Sequence, residues 1–465
     1  MLVFLGVTAV GALVAVVLLL RSPADGGPRE ERVASDSTAT APAASVAGKS
    51  VLLDVEGAVL EEFSGDCAGV GYPYLCRQVK QQLLAQDPQL LDRGGLTIRT
   101  TIDQRLQRAA QRAIDAHVHR DDPQVAAQVM IVPGEGAIRA MATSRDAAAA
   151  DAADADGGAD GSVADADDRA ADGAAFQQGT TAMPYVLAAA FAAGLRSDDG
   201  FQISDEYRAP SYAAFRNCAN QAVADPAHTV VNREKGGDRF VTLRSGTREV
   251  VNTFYMRLTE KVGLCETVRM AERLGLGRAD GTPLLEFETF SLGINEVGPV
   301  SVANSYASLA ARGRFCEPTV ITEIRDGSGA PRPFPPRCRQ VLDPAVADAV
   351  TDVLSEALAK SALGGIGREA AGMPGTTDAF TAAWYAGYTP GLASAVSLGD
   401  SRGAFQHDLS DVTIGGRHYP QVDGMSLPSL VWKEAMTEAV RGTQETGFTR
   451  PDAGRFGACR DACPN

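Results

Sequence analysis

The first residues of the chain are almost all apolar. From Leu2 to Leu20 the run is nearly unbroken, and it ends at Arg21. A run of this length suffices to cross a bilayer as a helix. It is longer than the apolar part of a usual signal peptide, and no A-x-A cleavage pattern precedes Ser22. We therefore expect residues 1–21 to form an uncleaved transmembrane anchor, with a signal sequence as the alternative.

Two stretches lack the large apolar side chains that a core requires. Residues 22–50 are rich in Ala, Pro, Gly, Ser and Thr with scattered charge, which predicts a disordered linker that we place over residues 22–66. Residues 145–172 repeat Ala, Asp and Gly. We expect this second stretch to be a disordered acidic insertion.

The rest of the chain shows alternating helical and strand patterns. The helix over residues 102–118 has its apolar positions on roughly one face. The other predicted helices cover residues 79–84, most of 241–274, and 300–311. The predicted strands cover residues 95–100, 126–132, 137–143, 382–388 and 392–398, and the last four form two hairpins. Strands near both ends with helices between them predict an α+β domain with an antiparallel sheet.

Length and charge narrow the possible functions. The 465 residues exceed one ordinary domain, and 45% hydrophobic residues suffice for a sizeable core. The formal net charge of −15 argues against a nucleic-acid partner, because phosphate binding needs clustered Lys and Arg.

Eight cysteines in an anchored chain indicate an oxidising, extracytoplasmic location. Three pairs are close in sequence, and the two remaining cysteines are left to meet each other, although eight cysteines allow about 105 connectivities. The favoured pairs are Cys67 with Cys76, Cys218 with Cys265, Cys316 with Cys338, and Cys459 with Cys463.

No cofactor or metal is expected. Cys459 and Cys463 have ligand-like spacing, but no histidine lies nearby to complete a zinc site. Asp154, Asp156 and Asp160 lack the spacing and the closing Glu of a calcium-binding EF-hand. His117 and His119, at a helix end, are interpreted as solvated residues.

Several separate motifs, in the right order, resemble the transpeptidase half of class A penicillin-binding proteins of the actinobacterial type. They are residues 72–79 (YPYLCRQV), 94–103 (GGLTIRTTID), 291–299 (SLGINEVGP), 303–307 (ANSYA), 375–378 (GTTD) and 383–390 (AWYAGYTP). The resemblance implies a serine D,D-peptidase or β-lactamase-like transpeptidase fold over residues 126–440. It also implies a small linker subdomain over residues 67–125, with a C-terminal tail over residues 441–465. We expect no glycosyltransferase half, which normally precedes this unit, because residues 22–72 are too few to contain it.

The reactive positions depart from the family pattern. The S-x-x-K motif, in which Ser attacks and Lys takes its proton, has Thr180 and Met183 in this chain. The S-x-N motif reads Val250, Val251 and Asn252, and the K-T-G motif reads Met373, Pro374 and Gly375. The resemblance further implies substrate contacts at Thr376 and Thr377.

Each replacement removes a chemical group. A lysine at position 183 could reach the hydroxyl on the same helix face, whereas methionine has no nitrogen that could act as a base. Val250 lacks a hydroxyl to relay protons. Met373 lacks the cation that helps the family hold a carboxylate, and Pro374 lacks a backbone N–H.

Two functions remain open. The favoured hypothesis is a catalytically inactive, single-pass membrane protein of peptidoglycan assembly, extracytoplasmic for most of its length, that binds stem peptides or cell-wall synthesis proteins. The alternative is an active D,D-transpeptidase or carboxypeptidase with Thr180 as nucleophile. A structural interpretation accompanies both: Thr180 as the N-cap of the following helix, and Met183 and Val250 as apolar fillers of a closed cleft.

Overall fold

The structure is a computed structural model that describes residues 49–63, 67, 71–90, 94–145, 175–327, 329–460 and 462–463. The predicted anchor lies outside the described residues, as does the acidic insertion apart from Arg145. Among the described residues, no helix has both the length and the apolar character needed to cross a membrane.

The strands alternate with helices along the chain. They are β1 (Ser50–Leu53), β2 (Val59–Phe63), β3 (Thr97–Thr100), β4 (Gln124–Ile131), β5 (Ile138–Thr143), β6 (Phe176–Gln177), β7 (Gly200–Ile203), β8 (Glu206–Tyr207), β9 (Val230–Val231), β10 (Arg239–Thr242), β11 (Glu296–Val297), β12 (Arg314–Cys316), β13 (Ile321–Arg325), β14 (Pro331–Pro333), β15 (Cys338–Gln340), β16 (Ala371–Thr376), β17 (Ala382–Thr389), β18 (Leu392–Asp400), β19 (Ser410–Ile414) and β20 (Arg417–Gln421).

The α-helices are α1 (Pro73–Gln86), α2 (Gln104–Asp115), α3 (Met183–Ala192), α4 (Leu243–Arg248), α5 (Asn252–Val262), α6 (Leu264–Leu274), α7 (Pro299–Ala310), α8 (Pro344–Lys360), α9 (Leu427–Val440) and α10 (Ala453–Phe456). Short 3-10 helices cover Gly179–Ala182, Tyr212–Ala214, Glu288–Leu292 and Asp378–Phe380.

The main sheet has the order β16-β17-β18-β4-β5, and all of its pairs are antiparallel. Side chains of a strand alternate between the two faces of its sheet. On β4, Val129 therefore joins one hydrophobic core with helices α3 and α7, whereas Met130 joins a second core with helices α2 and α9. The predicted α+β fold, an antiparallel sheet flanked by helices, is confirmed.

A second, smaller sheet has the order β14-β13-β3-β1-β2. Its strands β1 and β2 fall within residues 22–66, where a disordered linker was predicted, so this expectation fails for residues 50–53 and 59–63. The prediction missed β1 because the strand has only four residues. In the structure β1 is anchored in the core by Leu52, which is fully buried. The sheet also takes β13 and β14 from residues far beyond 125, so the subdomain is not continuous in sequence.

The helical stretch predicted over residues 241–274 is not one continuous helix in the structure. Its first two residues close β10, and the helical part is divided into α4, α5 and α6. The breaks fall at Val250, with φ 52°, and at Gly263, with φ 96°. Both residues lie in the left-handed region, which an α-helix cannot continue through.

The C-terminal residues pack onto the body of the domain. Phe456 is buried and lies edge-on against Phe191 of α3, with ring centroids 5.6 Å apart. The Ser197 amide donates to the Phe456 carbonyl oxygen at 2.8 Å. The chain end therefore holds the C-terminal end of α3, the helix that follows Thr180.

Four disulfides join the cysteines in the favoured pairs: Cys67–Cys76, Cys218–Cys265, Cys316–Cys338 and Cys459–Cys463. Among the described residues no cysteine is free.

Candidate active site

A turn at Gly179 places Thr180 against β16, the edge strand of the main sheet. Gly179 has φ 58°, and a Cβ at this position would lie 2.6 Å from the carbonyl carbon of Thr376. Only glycine accepts both the left-handed backbone and this close approach. The turn therefore presses directly on β16, the strand that carries the third motif.

The Thr180 hydroxyl is bonded to the backbone of that strand. Its Oγ1 donates to the Pro374 carbonyl oxygen at 2.8 Å and accepts from the Thr376 amide at 3.3 Å. The interpretation of Thr180 as an N-cap is wrong: neither the 3-10 turn nor α3 has a side-chain cap. The helix begins with a 3-10 turn, so the hydroxyl points to the sheet instead of to the helix amides.

Met183 is fully buried in the hydrophobic core. Its thioether offers no basic nitrogen. Within the described part of the chain, no amine, imidazole or carboxylate forms a hydrogen bond with the Thr180 hydroxyl. The position from which a lysine would take a proton is filled by apolar atoms.

Two buried phenols lie next to this turn. The Tyr306 hydroxyl donates to the Thr181 carbonyl oxygen at 3.0 Å, and the Tyr185 hydroxyl pairs with Ser305 at 2.7 Å. Burial raises the pKa of Tyr185 and holds the pKa of Tyr306 well above its ordinary value. Both phenols therefore stay protonated near neutral pH and are not general bases.

The second motif is held by β9. Asn252 opens α5, and its Nδ2 donates to the Val231 carbonyl oxygen at 3.1 Å. Val250, half-buried, has φ 52°, which is unfavourable for a β-branched residue. Asn252 therefore ties β9 to the start of α5.

The third motif lies on β16, at the edge of the main sheet. Met373 is fully buried, and Pro374 pairs with Tyr385 of β17. A proline is tolerated on an edge strand, where its missing N–H faces away from the ladder. A Cβ on Gly375 would lie 2.4 Å from the Gln178 carbonyl oxygen, so Gly375 allows the turn and the strand to pack this closely.

The two predicted substrate-binding threonines have partners within the chain. Thr376 Oγ1 accepts from the Gly424 amide at 3.1 Å. Thr377 is buried, and its hydroxyl pairs with that of Thr381 at 2.8 Å. The structure brings Thr376 to Thr180, whereas Thr377 belongs to the turn that leads into β17.

The cavity between the second and third motifs is small. Its volume is about 190 Å³, and its lining includes Arg248, Val250, Met373, Pro374 and Met425. Binding sites for drug-sized ligands usually have about 300–1,000 Å³. The cavity is therefore smaller than a typical ligand site, and Thr180 is not among the residues that line it.

Sequence reasoning missed an ion pair beside the site. Arg233 Nη2 lies 2.7 Å from Asp423 Oδ2. Asp423 immediately precedes Gly424, which bonds Thr376. The two charges are far apart in sequence and belong to no motif, so no sequence signal could have paired them.

One group of potential metal ligands occurs in the described ranges, formed by Asp199, Cys459 and Cys463. The two cysteines are joined in a disulfide, so neither supplies the thiolate that a metal would bind.

Known proteins resemble this chain over most of its described length. Penicillin-binding protein 1A of Mycobacterium tuberculosis is 27% identical over 403 residues, which cover 81% of this chain and 44% of the relative. The protein of the same name from Mycolicibacterium smegmatis is also 27% identical, over 81% of this chain and 46% of the relative. The chain therefore spans about half the length of these curated relatives.

A solved structure of the penicillin-binding protein PonA1 from Mycobacterium tuberculosis superposes with a TM-score of 0.62 and 25% identity, covering 84% of this chain and 96% of the other. Penicillin-binding protein 1A from Haemophilus influenzae shares the fold, with a TM-score of 0.61 and 16% identity, over 81% of this chain and 72% of the other. The family model of the penicillin binding protein transpeptidase domain matches residues 126–396. The chain belongs to the penicillin-binding protein transpeptidase family.

Proposed function

We propose that this protein is a membrane-anchored, catalytically inactive member of the transpeptidase family that acts by binding in peptidoglycan assembly. Its partners would be the peptidoglycan stem peptide or proteins of cell-wall synthesis, and most of the chain would lie outside the membrane. The family membership and the penicillin-binding proteins among its relatives support the cell-wall assignment. The four disulfides agree with an oxidising compartment.

One observation carries the proposal of inactivity: the Thr180 hydroxyl gives its hydrogen to a backbone carbonyl oxygen, that of Pro374. A carbonyl oxygen does not accept a full proton near neutral pH, so this contact orients the hydroxyl without activating it. General-base catalysis contributes about 10²–10⁴ in rate, and a nucleophile and its base act as one unit. Loss of the base at position 183 therefore removes most of the covalent chemistry.

Substrate binding in the cleft should be weakened as well. The Met373 side chain is buried and uncharged, so β16 has no cation for a carboxylate at this position. A hydrogen bond to a charged group contributes about 1.5–3 kcal/mol. We infer that the protein binds its partners weakly through the cleft, or through surfaces outside it.

The competing function is an active D,D-transpeptidase or carboxypeptidase with Thr180 as nucleophile. In its favour, Thr180 remains at the edge of β16, where the Thr376 amide reaches its oxygen at 3.3 Å. This activity would require a base from a segment outside the described residues.

The test combines binding and turnover. The full-length protein in detergent is mixed with purified peptidoglycan sacculi and sedimented, and release of D-alanine from a pentapeptide substrate is measured in parallel. We expect co-sedimentation, and D-alanine release no higher than that of the Thr180→Ala variant. Release that exceeds the variant's would establish the active enzyme. Absence of co-sedimentation with sacculi would remove the stem peptide as a partner and leave proteins of cell-wall synthesis.

A further inference from the structure

We propose that Arg233 is the carboxylate-binding residue of the cleft, and that Asp423 occupies it as an internal carboxylate that a peptide C-terminus must displace. This inference rests on the proposed function and deepens it. It assigns to Arg233 the charge that β16 lacks at Met373.

The ion pair connects the second motif with the third. Arg233 follows β9, whose Val231 carbonyl oxygen is held by Asn252 at 3.1 Å. On the other side, the residue after Asp423 donates its amide to Thr376 Oγ1 at 3.1 Å. The pair thus lies where the chain segments carrying these two motifs meet.

The loop that carries Asp423 packs tightly on the third motif. A Cβ on Gly424 would lie 2.5 Å from the Gly375 nitrogen and 2.5 Å from the Trp384 carbonyl oxygen. The loop is therefore fixed directly beside β16. The Asp423 carboxylate is held one residue from this contact.

Arg233 remains accessible from solvent. Its side chain is 47% exposed, and that of Asp423 is 20% exposed. The guanidinium lies over the Phe380 ring, 5.2 Å from its centroid, and in the described chain Asp423 is its only ion-pair partner. A guanidinium has five N–H donors, so a second carboxylate could approach while the ring still orients the group.

The energetics allow a ligand carboxylate to replace Asp423 at Arg233. A solvent-accessible ion pair contributes only about 0.2–1 kcal/mol, because water and salt screen it. A ligand carboxylate can bind an arginine by two parallel hydrogen bonds. Asp423 would therefore weaken the binding of an incoming carboxylate without preventing it.

A substitution at Asp423 can remove the charge and keep the loop. Asp423 Oδ1 accepts from the amides of Met425 and Ser426, both at 2.9 Å, whereas Oδ2 meets Arg233. Asp423→Asn retains an oxygen for the two amides while removing the negative charge. Arg233→Ala removes the cation. Arg325→Ala is the matched control, because Arg325 forms a similarly exposed pair with Glu323 at 2.6 Å in the small sheet.

The experiment measures binding of two probes to the full-length protein by titration calorimetry at low salt. The probes are diacetyl-L-lysyl-D-alanyl-D-alanine and the same peptide with a C-terminal amide. We expect the acid to bind more tightly than the amide. Asp423→Asn should tighten the acid about threefold and leave the amide unchanged. Arg233→Ala should abolish the preference for the acid, and Arg325→Ala should behave as the unsubstituted protein.

The outcomes separate this inference from the proposed function. Equal binding of acid and amide, or an unchanged affinity for the acid in Asp423→Asn, would overturn the role of Arg233 only. Binding of sacculi without binding of either peptide would do the same. If the unsubstituted protein bound neither the peptides nor the sacculi, this inference and the proposed stem-peptide binding would both be overturned.

Discussion

The Thr180 hydroxyl donates a hydrogen bond to the carbonyl oxygen of Pro374 across 2.8 Å. The Thr180 Oγ1 in turn accepts a hydrogen bond from the Thr376 amide at 3.3 Å. The hydroxyl at the nucleophile position thereby becomes a structural link between the start of α3 and the edge of the main sheet. This link predicts that the residue contributes to stability.

Thr180→Val removes the oxygen and keeps the shape. Because Thr180 is 5% exposed, the Pro374 carbonyl and the Thr376 amide would lose their partner in a water-poor site. We expect the free energy of unfolding to fall by about 1–3 kcal/mol. Urea unfolding measures this, with Thr180→Ser, which keeps the oxygen, as the control. A Thr180→Val variant as stable as the serine variant would refute the structural role.

Val250 should destabilise the native protein, because its φ of 52° is disfavoured for a β-branched residue. We expect Val250→Asn to raise the free energy of unfolding by about 1 kcal/mol, since left-handed backbone costs an ordinary residue about 1–2 kcal/mol and asparagine tolerates it better. The neighbouring Val251 has φ −83° and is buried. Val251→Asn should therefore destabilise, and equal effects of the two substitutions in urea unfolding would contradict this account.

The C-terminal segment should stabilise α3 through Phe456, which is 2% exposed and packs on Phe191. Phe456→Ala should lower the free energy of unfolding by about 3–5 kcal/mol, because it leaves a cavity in the core. Phe405, which is 62% exposed, supplies the control. Its replacement by alanine should change the free energy by no more than about 0.5 kcal/mol. Similar losses in both variants would show that the segment is not packed as described.

Alkaline pH should unfold the protein through its buried phenols. Burial raises the folded-state pKa of a set of tyrosines above the ordinary value of 10.0; they are Tyr185, Tyr255, Tyr306, Tyr385 and Tyr388. The unfolded chain ionises first, so this contribution to stability is complete below about pH 10 and declines as the pH rises above it. Circular dichroism and phenolate absorbance should change together for these groups. Reversible titration of all ten tyrosines near pH 10 with unchanged circular dichroism would contradict their burial.

The central fold could be predicted from sequence because local pattern and tertiary structure agree there. The hairpin of β17 and β18 is a pair of apolar runs around a Thr-Pro-Gly turn, and both strands are buried along their length. The amphipathic pattern likewise found α2, which begins after Asp103, a side-chain cap.

The misses come from contacts between distant segments. Thr180 is a residue type that often caps helices, but its hydroxyl donates instead to the Pro374 carbonyl oxygen on β16. Strand β1 is too short to stand out, and its pairing with β3 spans residues 51–99. Neither Arg233 nor Asp423 belongs to a recognisable sequence motif, although the two form an ion pair. Their relation arises only when β9 and the loop before α9 are brought together.

Covalent labelling by penicillin tests the central claim most directly, because acylation requires an activated hydroxyl at position 180. The full-length protein is incubated with a fluorescent penicillin, denatured, and measured for bound label, with Thr180→Ala as the reference. We predict label at the level of the variant. Stoichiometric label that maps to Thr180 and disappears in Thr180→Ala would contradict the account.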